Sequence, residues 1–196
     1  MHIAGIDFAE FYASAFSNPA DARNFVGTVK SLNGPAPAKI ALHQGGRMVW
    51  LADRMEDVAA GRDALQILFY LIAAEAVAKI VFGFKGEGKS KHHVQRFFGE
   101  ICLEKHRHLL SRALESAPGY FLTWEETTSK LYEIRCDVVH EGQYFGFHLQ
   151  RGGSQFPLMA DFEDPNLVAH VRLVDVRQIV LEGIVEGVRM LLPPTT

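Results

Sequence analysis

Arg135 and His140 are the residues whose types and spacing best fit chemistry. They lie in LYEIRCDVVHEG, residues 131–142, where an arginine is followed five positions later by a histidine and a glycine closes the segment. A fixed cation beside a group that titrates near neutral pH suits the handling of a phosphodiester. On a helix, Tyr132, Cys136 and His140 share a stripe at four-residue spacing, and Arg135 borders it. Asp137, three residues before His140, is placed to orient the imidazole. If Gly142 ends the helix, His140 sits in the last turn, where the negative end of the dipole favours imidazolium. Arg135 would then stabilise phosphate charge and His140 would transfer a proton, with Asp137 and Tyr132 in support. The bland alternative pairs Arg135 with Glu133 or Asp137 and leaves His140 as a helix cap.

A second segment, GFKGEGKS at residues 83–90, fits the phosphate-loop pattern G-x4-G-K-[ST]. In such a loop, backbone N–H groups wrap phosphates, a lysine (here Lys89) reaches the outer ones and a hydroxyl (Ser90) holds Mg²⁺. That chemistry requires a preceding strand and a parallel sheet, whereas Ile80–Phe82 continues the helical pattern of residues 65–77. A flexible interhelical loop is the favoured reading. A middle reading treats Lys85, Lys89, Ser90, Lys91, His93 and Arg96 as a local patch that touches RNA phosphates. Its plain counterpart is a solvated helix start.

The remaining composition narrows the choices. His92, His93, His106 and His108 match no zinc-ligand spacing, so no metal site and no cofactor is expected. The net charge is −3, which gives no global field toward nucleic acid, so any such contact must be local. Two cysteines outside any CxxC pair point to reduced thiols and a cytoplasmic protein. The first residues, MHIAGIDFAEFYA, lack the basic start and apolar run of a signal peptide. Residues 64–84 approach the length of a membrane span, but Gln66, Glu75 and Lys79 interrupt them. Glu75 and Lys79 are spaced for a helical ion pair. The segment reads as a buried helix and no membrane partner is expected.

These side chains must be held by helices. Phe8, Phe11, Tyr12 and Phe16 predict a helical start, Asn18-Pro19 caps a helix over 20–32, and Asn33-Gly34-Pro35 stops it. Residues 39–52, with Gln44-Gly45-Gly46 between two apolar runs, predict a β-hairpin, followed by a short helix over 53–60. Long helices are predicted over 62–82, 91–115, 123–142 and 175–192, and a second hairpin over 144–159 with Arg151-Gly152-Gly153 at its turn. Residues 1–60 would pack N-terminal helices and a hairpin on a helical domain spanning 61–196, in one structural unit. The fold class expected is mainly α: a bundle of about four core helices with one or two small β-hairpins.

The wording of residues 131–142 resembles the HEPN superfamily, small helical domains of many prokaryotic toxin and defence ribonucleases. It is similar to the family's form Y-x-x-R-N-x-x-V-H-G, an arginine, then four to six residues, then a histidine, late in a helix. One departure is Cys136, where active members usually carry asparagine, aspartate or histidine; a thiol is a weak hydrogen-bonding substitute. The resemblance implies an HEPN-like bundle and a homodimer that brings two Arg135/His140 pairs into one cleft. It also implies metal-independent RNA cleavage by the adjacent ribose 2′-OH, or an inactive relative that binds RNA, an antitoxin or another protein. The alternatives are a P-loop nucleotide-binding protein using residues 83–90 and a non-enzymatic interaction domain.

Overall fold

The structure is a computed structural model that describes residues 6–150, 158–161 and 163–193. Eight α-helices are found among them: α1 Phe8–Phe11, α2 Pro19–Ser31, α3 Pro37–Val58, α4 Asp63–Val81, α5 Ser90–Arg96, α6 Glu104–Leu110, α7 Trp124–Glu141 and α8 Leu173–Leu191. Four short strands, β1 Leu114–Ala117, β2 Tyr120–Phe121, β3 Leu158–Met159 and β4 Val168–Ala169, form an antiparallel sheet in the order β2-β1-β4-β3. The protein is mainly α with a small sheet.

Helix α4 is the hub; α3, α5, α7 and α8 pack on it. Its sequence is apolar on nearly every side, so several neighbours are needed to cover it. Among the described residues it is the helix long and apolar enough, by length and composition, to cross a membrane; half of that stretch is buried inside the protein. Asp63 at its start, 1% exposed, accepts a hydrogen bond of 2.8 Å from the Leu149 backbone N–H. Asp53 of α3 and Arg177 of α8 join in two 2.7 Å hydrogen bonds beside Tyr70 of α4.

Three sequence expectations are corrected. Residues 39–52 form no hairpin. They lie inside α3, which starts with Pro37 in its first turn and also absorbs the separate helix expected over 53–60. Ala38, Ala41, Leu42, Gly45, Gly46, Val49 and Ala52 form its buried stripe at three- and four-residue steps. The two glycines read as a turn are close-packing positions. A Cβ on Gly45 would come within 3.0 Å of Ile184, and one on Gly46 within 2.7 Å of the Tyr12 hydroxyl.

The helix expected over 91–115 is also broken. After α5 the chain widens into a π-turn, Phe97–Ile101, in which the adjacent rings of Phe97 and Phe98 are both buried, 5.3 Å apart. Arg107 closes the break by donating to the carbonyls of Gly99 and Cys102. Residues 114–121 then make the hairpin β1–β2 with Gly119 at positive φ in its turn. In the second predicted hairpin, the turn Arg151–Gly153 lies outside the described residues. Its first arm makes isolated bridges, Phe147 with Asp161 and Gln150 with Arg172, and β3 pairs with β4.

Gly183 of α8 faces the Phe97 ring and the Cys102 thiol, 2.5 and 2.8 Å from a Cβ built there. Gly183→Val is expected to destabilise the protein by about 1–3 kcal/mol, because overpacking outweighs the helix propensity gained. Denaturant-induced unfolding followed by circular dichroism checks this.

Candidate functional site

Helix α7 presents the Arg135 segment. Its start is fixed by a capping box, with Thr123 Oγ1 accepting from the Glu126 N–H at 3.2 Å and the Glu126 carboxylate accepting from the Thr123 N–H at 2.8 Å. Its end is Gly142, at φ 68°, where a residue without Cβ is favoured. Both ends agree with the sequence reading.

The guanidinium of Arg135 points toward α4, not to Glu133 or Asp137. Arg135 Nη2 lies 3.9 Å from Glu75 Oε2, and its Cζ is 5.3 Å from the Tyr132 ring centroid. At 3.9 Å the contact is an ion pair without a hydrogen bond. Glu75 is closer to two other groups: Lys79 Nζ at 2.7 Å, and Ser90 Oγ, which donates to it at 2.7 Å. Burial alone would push the Glu75 carboxyl up. The bonds from Lys79 and Ser90, and the charges of Lys79 and Arg135, outweigh it and hold the carboxyl below its ordinary value.

The two motifs therefore meet at one carboxylate. Ser90 comes from the glycine-lysine loop and Arg135 from the arginine-histidine segment. Glu75 and Lys79 were legible as an ion pair, but not as this junction. The available signal was an acid in the middle of an apolar helix, which must find compensation. One carboxylate faces two cations, so the node keeps about one positive charge. It opens on a groove of about 440 Å³ lined by Gln44, Ile72, Glu75, Lys79 and Arg135.

His140 and Asp137 lie elsewhere. His140 is exposed in the last turn of α7 and, among the described residues, makes no hydrogen bond or ion pair. Five residues at about 100° each place it roughly 140° around the helix from Arg135. Asp137 makes no bond to His140; it lines a separate groove of about 290 Å³ with Lys130, Glu133, Asp161 and Glu163. Tyr132 is half-buried beneath Arg135. Within one chain, Arg135 and Tyr132 are together, while His140 and Asp137 are apart from them and from each other.

The glycine-lysine loop joins two helices, α4 and α5, so the strand that a phosphate loop requires is not formed here. Lys85, Lys89 and Lys91 are exposed and, among the described residues, without ion pairs. Lys89 sits in the left-handed region, φ 57°, at the start of α5. Arg96 is neutralised by two bonds to Glu100, at 2.6 and 2.9 Å, and lies over the Phe82 ring. His93 is 2% exposed, lies against the Phe84 ring at 4.5 Å with the planes tilted by 52°, and has no hydrogen-bond partner for either ring nitrogen. Burial, then the charges of Lys79 and His92, hold its pKa below the ordinary value, with Glu75 opposing. Among the described residues no three His, Cys, Asp or Glu side chains are grouped to hold a metal ion.

Comparisons with known proteins add no relative: no family model, curated protein or solved structure matches the chain.

His93 binds a proton less readily folded than unfolded, so the stability it contributes is complete above its ordinary value of 6.5 and lost as pH falls below that. Buried His106 is lowered too and acts in the same direction. Glu75 adds its loss only below 4.5. The melting temperature is expected to fall on acidification between about pH 7 and pH 5, and His93→Phe to make that fall shallower. Thermal melts of both proteins across this range check it.

Proposed function

We propose that this chain is an HEPN-like RNA-handling protein that works as a homodimer. Arg135 binds a backbone phosphate and His140 transfers a proton during metal-independent cleavage at the ribose 2′-OH. The observation that carries this reading is the charge surplus at the Arg135 node. Lys79 already neutralises Glu75 at 2.7 Å, and Arg135 lies 3.9 Å away, forming no hydrogen bond among the described residues. Its N–H donors are available to an anion in the open groove.

Three further observations support it. His140 is solvent-accessible at a helix C-terminus, suited to proton exchange. Lys85, Lys89 and Lys91 extend positive charge from the loop that Ser90 ties to the same node. The Asp137 groove carries four carboxylates and one lysine, so it repels a phosphate backbone and leaves the Arg135 side as the approach. Because Arg135 and His140 occupy different sectors of α7, a cleavage centre in this reading combines Arg135 of one copy with His140 of another. A non-catalytic RNA-binding module is the second reading. It is favoured by that same separation and by Cys136 beside Arg135.

The test is cleavage and binding of RNA by the wild type in EDTA. His140→Ala is expected to lower cleavage by at least about 100-fold while binding remains. Arg135→Ala should weaken both. Neutralising Lys85, Lys89 and Lys91 should weaken binding uniformly across sequences, lowering the salt slope by about 0.7 per lysine for single strands. Binding without cleavage establishes the module reading; no binding by the wild type ends both.

A further inference from the structure

A second cluster of ionisable side chains lies away from the Arg135 node, in a cleft of about 350 Å³ between α6 and the β4–α8 junction. Lys105, His108 and Leu109 share one stripe of α6, and Arg112 follows in the turn after it. The other side is made by His170, Val171 and Asp175. His170 is held in place by Glu115 of β1. Its Nε2 donates to Glu115 Oε2 at 2.6 Å, and Glu115 Oε1 accepts from the Gly119 N–H, also at 2.6 Å. The Gly119 bond first, and then His170, hold the Glu115 carboxyl below its ordinary value, with burial opposing. An ionised carboxylate only accepts, so the ring nitrogen is the donor. Nδ1 of His170 makes no hydrogen bond among the described residues, and the ring lines the cleft. The partly exposed Phe121 ring lies beside it, 5.1 Å away.

The fixed charges around the cleft are even in number: Lys105, Arg112 and Arg172 against Glu115, Asp175 and Glu182. They are uneven in engagement. Asp175 is taken by Arg172 at 2.7 and 2.9 Å, Glu182 by Lys105, Gln178 and His106, and Glu115 by His170. Arg107 is turned away to backbone carbonyls. Arg112 and His108 are exposed and, among the described residues, have no ion pair or side-chain hydrogen bond. Protons on His108 and His170 would give the cleft a surplus of up to about two positive charges.

We propose that this cleft binds a small phosphomonoester with an apolar or aromatic organic group, through Arg112, His108 and His170. The Arg112 fork suits two oxygens of one phosphate, and the two imidazoles supply further donors. A carboxylate offers only two oxygens to such a set. A phosphomonoester offers three, and its second proton exchanges near pH 6, where histidines also titrate. Leu109, Val171 and the Phe121 ring give the organic group an apolar wall. The volume is that of a small-molecule site. A polynucleotide fits less well. The neighbouring groove of about 190 Å³ shares Lys105, Leu109 and Asp175 with the cleft and adds Glu182, and the next, of about 380 Å³, adds Asp21 and Glu186. Further phosphates along that path would meet carboxylates. The site is separate from the Arg135 node and does not depend on the RNA reading.

The experiment is calorimetric titration of the full-length protein with phenyl phosphate at about pH 6.5. One molecule is expected to bind per chain with a Kd at or below about 1 mM. Inorganic phosphate and phenol, which each lack one half of the ligand, are expected to bind at least about 10-fold more weakly. Arg112→Gln and His170→Gln should each weaken phenyl phosphate at least about 10-fold, while Lys30→Gln on the exposed side of α2 leaves it unchanged. Circular dichroism monitors folding, and because Arg112 is exposed, its variant decides the matter even where His170→Gln misfolds. Between about pH 6.5 and pH 8 the wild-type affinity is expected to fall at least about threefold as the imidazoles lose their protons, and by less in His108→Gln. In competition with phenyl phosphate, adenosine monophosphate is expected to displace it better than a 5′-phosphorylated RNA hexamer does. No binding at about 10 mM phenyl phosphate, equal binding of inorganic phosphate or phenol, an affinity unaltered in Arg112→Gln, or stronger competition by the RNA overturns the inference.

Discussion

A carboxylate placed inside an apolar helix sets much of this structure. Glu75 lies on α4, among residues that otherwise favour burial, and an uncompensated charge there would be costly. Compensation comes from three directions: Lys79 one turn along the same helix, Ser90 at the start of α5, and Arg135 from α7. These contacts tie the start of α5, where the glycine-lysine loop re-enters the helical body, to the hub and draw the Arg135 guanidinium toward it. The same contacts leave His93 under the loop against Phe84, since α5 is anchored at Ser90 and its next turn must pass over α4.

The electrostatic consequence is a division of surface by α7. One side holds Arg135 and the surplus charge of the Glu75 node. The other holds Glu133, Asp137, Asp161 and Glu163 around Lys130, whose ammonium lies 3.0 Å from Asp161. A chain with net charge −3 can therefore still present a locally positive approach, because Lys79, Arg135 and the loop lysines Lys85, Lys89 and Lys91 outnumber Glu75 and Glu87 there. Arg96, which looks like part of the basic patch in sequence, contributes little to it because Glu100 takes both of its donor directions.

The parts of this arrangement legible in the sequence share a physical cause. The long helix α4 is legible as an extended apolar run, and α7 and α8 by period, caps or both: Thr123 and Gly142 bracket α7 by local chemistry that needs no knowledge of the rest of the fold. Helix α3 was illegible because Gly45 and Gly46 read locally as a turn. Their role is set by residues far away in sequence, Ile184 and Tyr12, that approach too closely for any side chain. The break after α5 was hidden for a similar reason. A π-turn that buries Phe97 and Phe98 together is decided by the space they fill, not by the spacing they show. For the candidate site, the sequence supplied Arg135, Tyr132 and the lysines. It could not supply the separation of His140 and Asp137 from Arg135, which depends on which side of α7 each neighbour covers.

The distance between Arg135 and Glu75 bears on how an anion could be held. A guanidinium bound bidentately by a buried carboxylate has spent its donors, and a phosphate would have to break that pair. Here the Glu75 oxygens are occupied by the Lys79 ammonium and the Ser90 hydroxyl, both at 2.7 Å, while Arg135 stands off at 3.9 Å with its face toward the Tyr132 ring. The carboxylate thus orients the guanidinium without consuming its hydrogen bonds. An incoming phosphate could take those donors while the Glu75–Lys79–Ser90 contacts persist, so binding would require little rearrangement of α4 or α5. Preorganisation of this kind costs some stability at the junction, since Arg135 is only partly satisfied in the free protein. That cost is kept small by the groove, which leaves the guanidinium in contact with water.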